Sequence, residues 1–459
     1  MPRGLIRTIT SKMPATEPGT RALSSTLALC LALIGAAAML YYHQGLFMPR
    51  VVAVRTAAGL GNGYSFGNDF YQVWLSAREL LLQKRDPYSQ EMTLEIQTGL
   101  YGRPLDPKRP TDPVDRRVFP YPVYADLLFW PTAEVPFPAV RIAVLFLLIF
   151  LTVSGVVFWI KAFEWALDWK WFAMILLLTL TCYPTLEGLF AEQLGLLVAF
   201  FLAASLYLIQ RQRFFFAGIL MALSTIKPQV AALAILYLLL WSLYRWQARR
   251  GLVVGFFLTL GLLLTTSLLV MPHWIQSWIH TILAYRHYTR PPLVTEVLTS
   301  PLGPTLSGPA TLLLTAASIL IAAWLAWKNR AAASTSFQFW LTLSLLFSIT
   351  AITILPGQAV YDHLILIPGI FLLARHHREF LDAGPVPRIL LSVGALLLFW
   401  NWIAAFALIA LRPLLAPAIF DSTAVFSLPI RSAAPLPFAI LALLAWTRRL
   451  SPSPNPASV

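Results

Sequence analysis

Apolar stretches of about twenty residues recur along nearly the whole chain, and a helix of that length crosses the roughly 30 Å hydrocarbon layer of a membrane. The composition supplies little polar surface to cover these stretches in water. Of the 459 residues, 58% are hydrophobic and only 12% are charged, whereas soluble globular chains carry about 25% charged residues. These values exclude a soluble enzyme and an intrinsically disordered chain.

We therefore predict an all-α polytopic membrane protein with about twelve transmembrane helices. The first predicted span, residues 22–42, is too long for the apolar part of a signal peptide. The stretch 214–244 predicts two short helices that meet at Lys227-Pro228, because a residue before proline avoids helical geometry. The other predicted spans are residues 139–160, 171–186, 194–210, 251–271, 309–327, 337–355, 361–374, 389–411 and 433–446.

The basic residues predict the orientation of these spans, because cytoplasmic connections carry an excess of Lys and Arg. Alternate connections are basic, which predicts a cell membrane protein (plasma or inner) with a cytoplasmic N-terminal segment, 1–21, and a disordered cytoplasmic tail, 447–459. The transmembrane domain, 22–446, would include a large first extracytoplasmic loop, 43–138, bearing interfacial helices. The net charge of +14 thus reflects orientation and a secondary attraction to anionic lipids. No nucleic-acid-binding pattern is present.

Asp69 begins a segment of this loop in which apolar residues recur at helical spacing. This predicts an amphipathic helix at the membrane interface, where Asp69 could cap the amino end or act as a base. The patch FPYPVYADLLFWP, residues 119–131, contains prolines that forbid a simple spanning helix, so it should dip into the interface or pack against the bundle. Asp126 and Glu134 are interpreted as interface charges.

Other polar residues interrupt apolar stretches, where an ionisable group is costly and often functional. Lys227 could bind an anionic group or extend to an outer head group. Glu192 and Gln193, in the turn EGLFAEQ, could hydrogen-bond a substrate or solvate the turn. Asp362 and His363 begin a predicted span, where they would face a cavity or form a proton relay.

Arg286 and Arg290 lie in an aromatic-rich, amphipathic stretch and could contact a phosphate or face solvent at the interface. No carboxylate cluster has metal-ligand spacing, and the two cysteines, Cys30 and Cys182, form no CxxC motif. We expect no metal and no other cofactor.

Taken in order, several short motifs resemble the polyprenyl-phosphate-mannose-dependent alpha-mannosyltransferase-like family of the GT-C superclass of membrane glycosyltransferases. The similarity runs over roughly residues 60 to 375. Relatives commonly show Gly-Gln where this chain has Glu192-Gln193. The motifs that carry the resemblance are NDFY, ARELL, DPY, FPYP, LLFWP, Glu192-Gln193, Ala217-Gly218, Lys227-Pro228 and Tyr361-Asp362-His363-Leu364.

The resemblance implies a GT-C-like fold and transfer of a hexose, mannose in the family, from a polyprenyl-phosphate donor to an envelope lipid or glycan on the outer face. It assigns the general base to Asp69. Such a reaction also needs cations for the departing phosphate and an apolar groove for the lipid. The alternative is a transporter or flippase of lipid-linked sugars, which would share the groove and the basic contacts. The external loop with Asp69 favours the transferase, because a carrier rarely needs a base there.

Overall fold

The computed structural model describes residues 24–61, 66–289, 294–356 and 359–450. The structure is 81% helix, and the described residues contain no strand. The predicted all-α class is therefore confirmed.

The first helix is longer than predicted. Helix α1 (Ser25–Leu40) continues through a π-helical segment, Tyr41–Phe47, into α2 (Met48–Ala57), and the whole forms one 33-residue helix, Ser25–Ala57. The predicted loop boundary at residue 43 thus lies inside a helix. Three helices follow before the next long one: α3 (Asn68–Gln83), α4 (Gln90–Tyr101) and α5 (Val123–Leu128).

The rest of the chain forms a bundle of long and short helices. Short 3-10 turns join several of them, including Ser224–Ile226 and Val360–Leu366. The helices are α6 (Phe137–Ala162), α7 (Trp169–Thr181), α8 (Tyr183–Ala191), α9 (Leu194–Gln210), α10 (Phe214–Leu223), α11 (Pro228–Tyr244), α12 (Trp246–Val270), α13 (Trp274–Thr289), α14 (Val294–Thr299), α15 (Pro304–Lys328), α16 (Phe337–Thr353), α17 (Ile367–Arg375), α18 (His377–Asp382), α19 (Pro385–Leu411), α20 (Pro417–Phe420), α21 (Thr423–Phe426) and α22 (Leu436–Leu450).

Among the described residues, six helices are long and apolar enough to cross a membrane, and the pair α7 and α8, bent by 57°, could form a seventh span. Four predicted spans appear as shorter apolar helices, and the predicted span 361–374 is a 3-10 turn followed by the nine-residue helix α17. The count of twelve crossings is not confirmed. The six helices are Ser25–Ala57, Phe137–Ala162, Trp246–Val270, Pro304–Lys328, Pro385–Leu414 and Leu428–Thr447.

Two glycines allow the bundle helices α10 and α12 to pack backbone against backbone. A Cβ at Gly218 would overlap the carbonyl oxygen of Leu252, and one at Gly255 would overlap that of Phe215. Small residues permit such close approach of helices inside a membrane, where packing replaces the hydrophobic effect. This contact fixes α10, and with it the chain that leads to Lys227.

The segment between α2 and α6 packs against the bundle through its own apolar core. Phe70 of α3, Met92 of α4 and Val123 of α5 are fully buried in one cluster with residues of α6 and α9. The FPYP patch lies in this cluster, and Trp278 of α13 donates a hydrogen bond to the carbonyl oxygen of Pro120 at 3.0 Å. The patch therefore packs against the bundle, which was one of the two predicted outcomes.

Candidate active site

Lys227 lies at a break between two bundle helices. Its backbone leaves helical geometry, with φ −122° and ψ 79°, and α11 begins at Pro228. Proline at the first position of a helix costs no hydrogen bond but pushes the preceding residue out of the helical region. Tyr124 of α5 supports the break by donating to the carbonyl oxygen of Thr225 at 2.9 Å. The predicted meeting of two helices at this position is confirmed.

Asp69 lies in the first turn of α3 but does not cap it. Gly67 is the N-cap residue, and no side chain makes the capping hydrogen bond. Instead, Asp69 accepts one hydrogen bond from Arg117 on Oδ1 and another from the Gln193 amide on Oδ2. The Asp69 residue is 9% exposed. Its contacts join the external segment to the turn before α9.

Gln193 links Asp69 to a second ion pair. Its Oε1 atom accepts from the Lys227 ammonium at 3.4 Å, and the same ammonium donates to both oxygens of Asp362, at 2.8 and 2.9 Å. Lys227 also lies 4.8 Å from the centre of the Tyr361 ring. Gly195 makes room for the pair, because a Cβ there would overlap Asp362 Oδ1. The result is a continuous polar chain from Arg117 to Asp362.

This polar chain lines a cavity of about 480 Å³. The cavity lies between the external segment, the Lys227 break and α13, which contributes Trp278 and Tyr285. Its volume falls within the range of about 300–1,000 Å³ typical of small-molecule sites. Its polar wall consists chiefly of Asp69, Arg117, Tyr121, Gln193, Lys227 and Asp362.

Tyr121, from the FPYP motif, adds a hydroxyl to the cavity wall. Burial, and then the negative charges of Asp69 and Asp362, raise the pKa of this phenol well above its usual value. Tyr121 therefore keeps its proton and can donate a hydrogen bond to an oxygen of a bound sugar or phosphate.

Glu192 and His363, both predicted to bind substrate, lie away from this cavity. Glu192 is fully buried beside Gly67, in a left-handed conformation with φ 55°, and neither of its carboxylate oxygens has a hydrogen-bond partner among the described residues. His363 lines a second, apolar cavity of about 360 Å³ between α7, α17, α19 and α22. Asp362 and His363, adjacent in sequence, thus face two different cavities.

Arg286 and Arg290 were predicted as candidates for a second phosphate contact. The side chain of Arg286 and the whole of Arg290 lie outside the described residues. The cavity instead contains Arg117, which the sequence analysis did not select. Its position two residues before the FPYP motif was the available signal, since that motif belongs to the resemblance.

Asp126 was interpreted as an interface charge, and this is wrong. The residue is fully buried in α5, and its single partner among the described residues is Ser76, which donates to Oδ2 at 2.9 Å. Burial raises the pKa of Asp126 well above its usual value, against the opposing effect of the Ser76 hydrogen bond. Glu134, interpreted in the same way, is exposed.

The fold and the site define an integral membrane protein with a polar cavity beside apolar helices, and two of the described residues in its wall, Arg117 and Lys227, are cationic. The model of glycosyltransferase family 87 matches residues 119–356, just over half of the chain. The chain belongs to this family and is a membrane glycosyltransferase. The matched region contains Gln193 and Lys227, while Asp69, Arg117 and Asp362 lie outside it. No curated protein and no solved structure matches the chain.

Proposed function

We propose that the protein transfers a hexose, mannose by the resemblance, from a polyprenyl-phosphate donor to a hydroxyl of an envelope lipid or glycan. The reaction would take place on the extracytoplasmic face of the cell membrane, with both termini in the cytoplasm. The observation that carries the proposal is that Asp69, Gln193 and Lys227, which are far apart in sequence, line one cavity.

Each group has a role that its chemistry supports. Asp69 removes the proton from the acceptor hydroxyl, whose oxygen then bonds to C1 of the donor sugar. The bond between C1 and the phosphate oxygen breaks, and polyprenyl phosphate leaves as a stable anion without needing an acid. Lys227 binds this phosphate as a point charge. Gln193 holds Asp69 and Lys227 in register through its two amide atoms.

The donor's lipid chain needs an apolar path beside the site. The cavity wall formed by α13 and the Lys227 break contains Trp278, Ile282 and Ile226. These side chains suit a prenyl chain that enters from the bilayer, because they bury it without leaving polar groups unpaired. The lipid bilayer and the two substrates are then the partners of the protein.

The first prediction tests the base and the cation with purified full-length protein, radiolabelled polyprenyl-phosphate mannose or glucose, and an envelope lipid extract as acceptor. Asp69→Asn should lower transfer by about 10²- to 10⁴-fold, since general-base assistance contributes that much. Lys227→Ala should mainly raise the KM for the donor.

Glu134→Gln is the matched control, because it makes the same acid-to-amide change at an exposed position of the same external segment. It should leave transfer unchanged. Unchanged turnover in Asp69→Asn would remove the base assignment. Movement of intact donor across liposomes, without cleavage of the sugar–phosphate bond, would instead favour a flippase.

A further inference from the structure

Both described cations of the cavity are paired with carboxylates. Arg117 donates to Asp69, and Lys227 donates to Asp362. With Asp115 also in the wall, two cations face three carboxylates, so the described lining side chains carry a formal charge of −1. These described charges give an incoming phosphate no net attraction, and the phosphate would compete with a carboxylate for each of the two cations.

Building on the proposed function, we propose that Arg117 is a second phosphate-binding residue and that the donor phosphate displaces Asp69 from it. Asp69 then becomes available to the acceptor hydroxyl only after the donor has bound.

Arg117 is suited to change partners without moving far. Its guanidinium presents five N–H donors in a planar fork that fits carboxylate and phosphate oxygens alike. Besides the contact with Asp69, its Nε atom donates to the hydroxyl of Tyr101 at 3.1 Å. The Tyr101 contact can therefore hold the guanidinium at the cavity while Nη1 passes from carboxylate to phosphate.

The loop that carries Arg117 is ordered by contacts that do not involve the cavity. The buried Gln97 amide donates to the carbonyl oxygen of Arg116 at 2.8 Å and accepts from the backbone of Leu105 at 2.9 Å. Arg103 makes two hydrogen bonds to Asp112, at 2.7 and 2.6 Å, and holds the pKa of that carboxyl at about 2. These contacts order the loop independently of the cavity residues, so the proposed partner exchange involves side chains alone.

The exchange has a direct consequence for the base. The Arg117 guanidinium occupies Oδ1 of Asp69, so an acceptor hydroxyl cannot donate its proton along the same direction while this contact is in place. Of the two side chains that donate hydrogen bonds to Asp69 in the structure, Arg117 and Gln193, only the neutral Gln193 amide would remain once Arg117 binds the phosphate. Donor binding thus frees Asp69 Oδ1 for contact with the acceptor hydroxyl.

The second prediction measures this exchange by calorimetric binding of farnesyl phosphate, with uncharged farnesol as reference, to the purified full-length protein. Asp69→Asn should bind farnesyl phosphate about five- to tenfold more tightly than wild type, since the coupling between two such contacts is typically of that order. Arg117→Gln should bind it about tenfold more weakly, and Arg117→Lys should fall between Arg117→Gln and wild type. Farnesol affinity should not change.

The double variant Asp69→Asn/Arg117→Gln should lose the gain, because the gain requires the freed guanidinium. Asp115→Asn is the charge-matched control: it removes one negative charge from the same wall, but its carboxylate lies 3.8 Å from Arg117 Nε. Equal gains in Asp69→Asn and Asp115→Asn would overturn the exchange, as would unchanged or weaker phosphate binding in Asp69→Asn. Retained transfer by Asp69→Asn would instead remove the base assignment made under the proposed function, and the transfer assay measures this separately from binding.

Discussion

The buried charges of Lys227, Asp362, Asp69 and Arg117 are paired with one another in the cavity wall. Lys227 and Asp362 are 5% and 2% exposed and form a direct pair, which offsets the desolvation that either charge would suffer alone. Asp69 and Arg117 form a comparable pair at the other end of the Gln193 amide. Under the proposed function, a donor phosphate that binds Arg117 or Lys227 would compete with the carboxylate that each of them contacts.

Asp126 departs from this rule, and its isolation leads to the third prediction. Because burial raises its pKa in the folded state, the folded protein binds a proton that the unfolded chain releases above pH of about 4. Stability should thus fall as pH rises above that value, by up to about 1.4 kcal/mol per pH unit until the folded-state pKa is reached. Asp126→Asn should remove this dependence.

Thermal unfolding in detergent between pH 5 and 8 would measure the difference. The difference in melting temperature, Asp126→Asn minus wild type, should increase steadily with pH. A destabilisation by the new amide that does not depend on pH would shift this difference but would not change its slope. Glu134→Gln, at an exposed position, should follow the wild-type curve. Parallel curves for wild type and Asp126→Asn would show that Asp126 does not hold a proton in the folded state.

At the scale of helices, irregular backbone creates the site. Lys227 reaches the cavity because Pro228 ends one helix and starts another. Asp362 reaches it from a 3-10 turn rather than from a regular α-helix. Such departures from regular helix are tolerated in a membrane protein where they are buried in protein or line a cavity. The same two segments were predicted as parts of spans, since their apolar content resembles that of a helix.

The fourth prediction concerns the contact of α10 with α12. Gly255→Ala should destabilise the protein by about 1–3 kcal/mol, the usual cost of overpacking, because the new Cβ would overlap a backbone oxygen that cannot rotate away. Unfolding in detergent, followed by circular dichroism, would measure the loss.

Gly261 provides the control on the same helix, since no atom lies within 4 Å of the Cβ it would gain. Gly261→Ala should be neutral or stabilising by up to about 1 kcal/mol, owing to the better helix propensity of alanine. Equal effects of the two substitutions would mean that backbone packing between α10 and α12 does not contribute to stability.

At the scale of the whole molecule, the proposed function requires the cavity and the donor to lie on one side of the membrane. The segment between α2 and α6 carries Asp69 and Arg117, and it contains eight basic and ten acidic residues. Segments of this length are translocated largely regardless of their charge, so its basic residues do not hold it in the cytoplasm. The connection between α15 and α16 contains Arg330 and comes directly after Lys328, the last residue of α15. These basic residues predict that this connection lies on the cytoplasmic side.

The fifth prediction follows from this arrangement. In a chain with Cys30 and Cys182 replaced by alanine, a membrane-impermeant maleimide added to intact cells should label Glu134→Cys. Thr335→Cys, at an exposed position after α15, should react only after lysis. Labelling of Glu134→Cys only after lysis would place the Asp69 segment in the cytosol and contradict an extracytoplasmic reaction.

Sequence patterns were sufficient for the features that depend on local chemistry. The apolar runs required a helical membrane protein, because only structures that satisfy their own backbone hydrogen bonds persist in lipid. Lys227 and Asp362 were recognisable because a charge within an apolar run is costly, and the Pro228 break followed from local sterics. Asp69 was recognisable at the start of an amphipathic helix.

Long-range packing governed the rest. Three features depend on contacts between segments that are far apart in sequence: the lengths of the short helices, the burial of Asp126 and the presence of Arg117 in the cavity. No local sequence pattern encodes such contacts. The positions of Asp362 and His363 also depend on the tertiary structure. They are neighbours in sequence, yet Asp362 lines the polar cavity and His363 lines an apolar one. The sequence alone determined which residues were too costly to bury without a partner, and only the tertiary structure determined which partner each of them received, because pairing depends on distance in the folded chain.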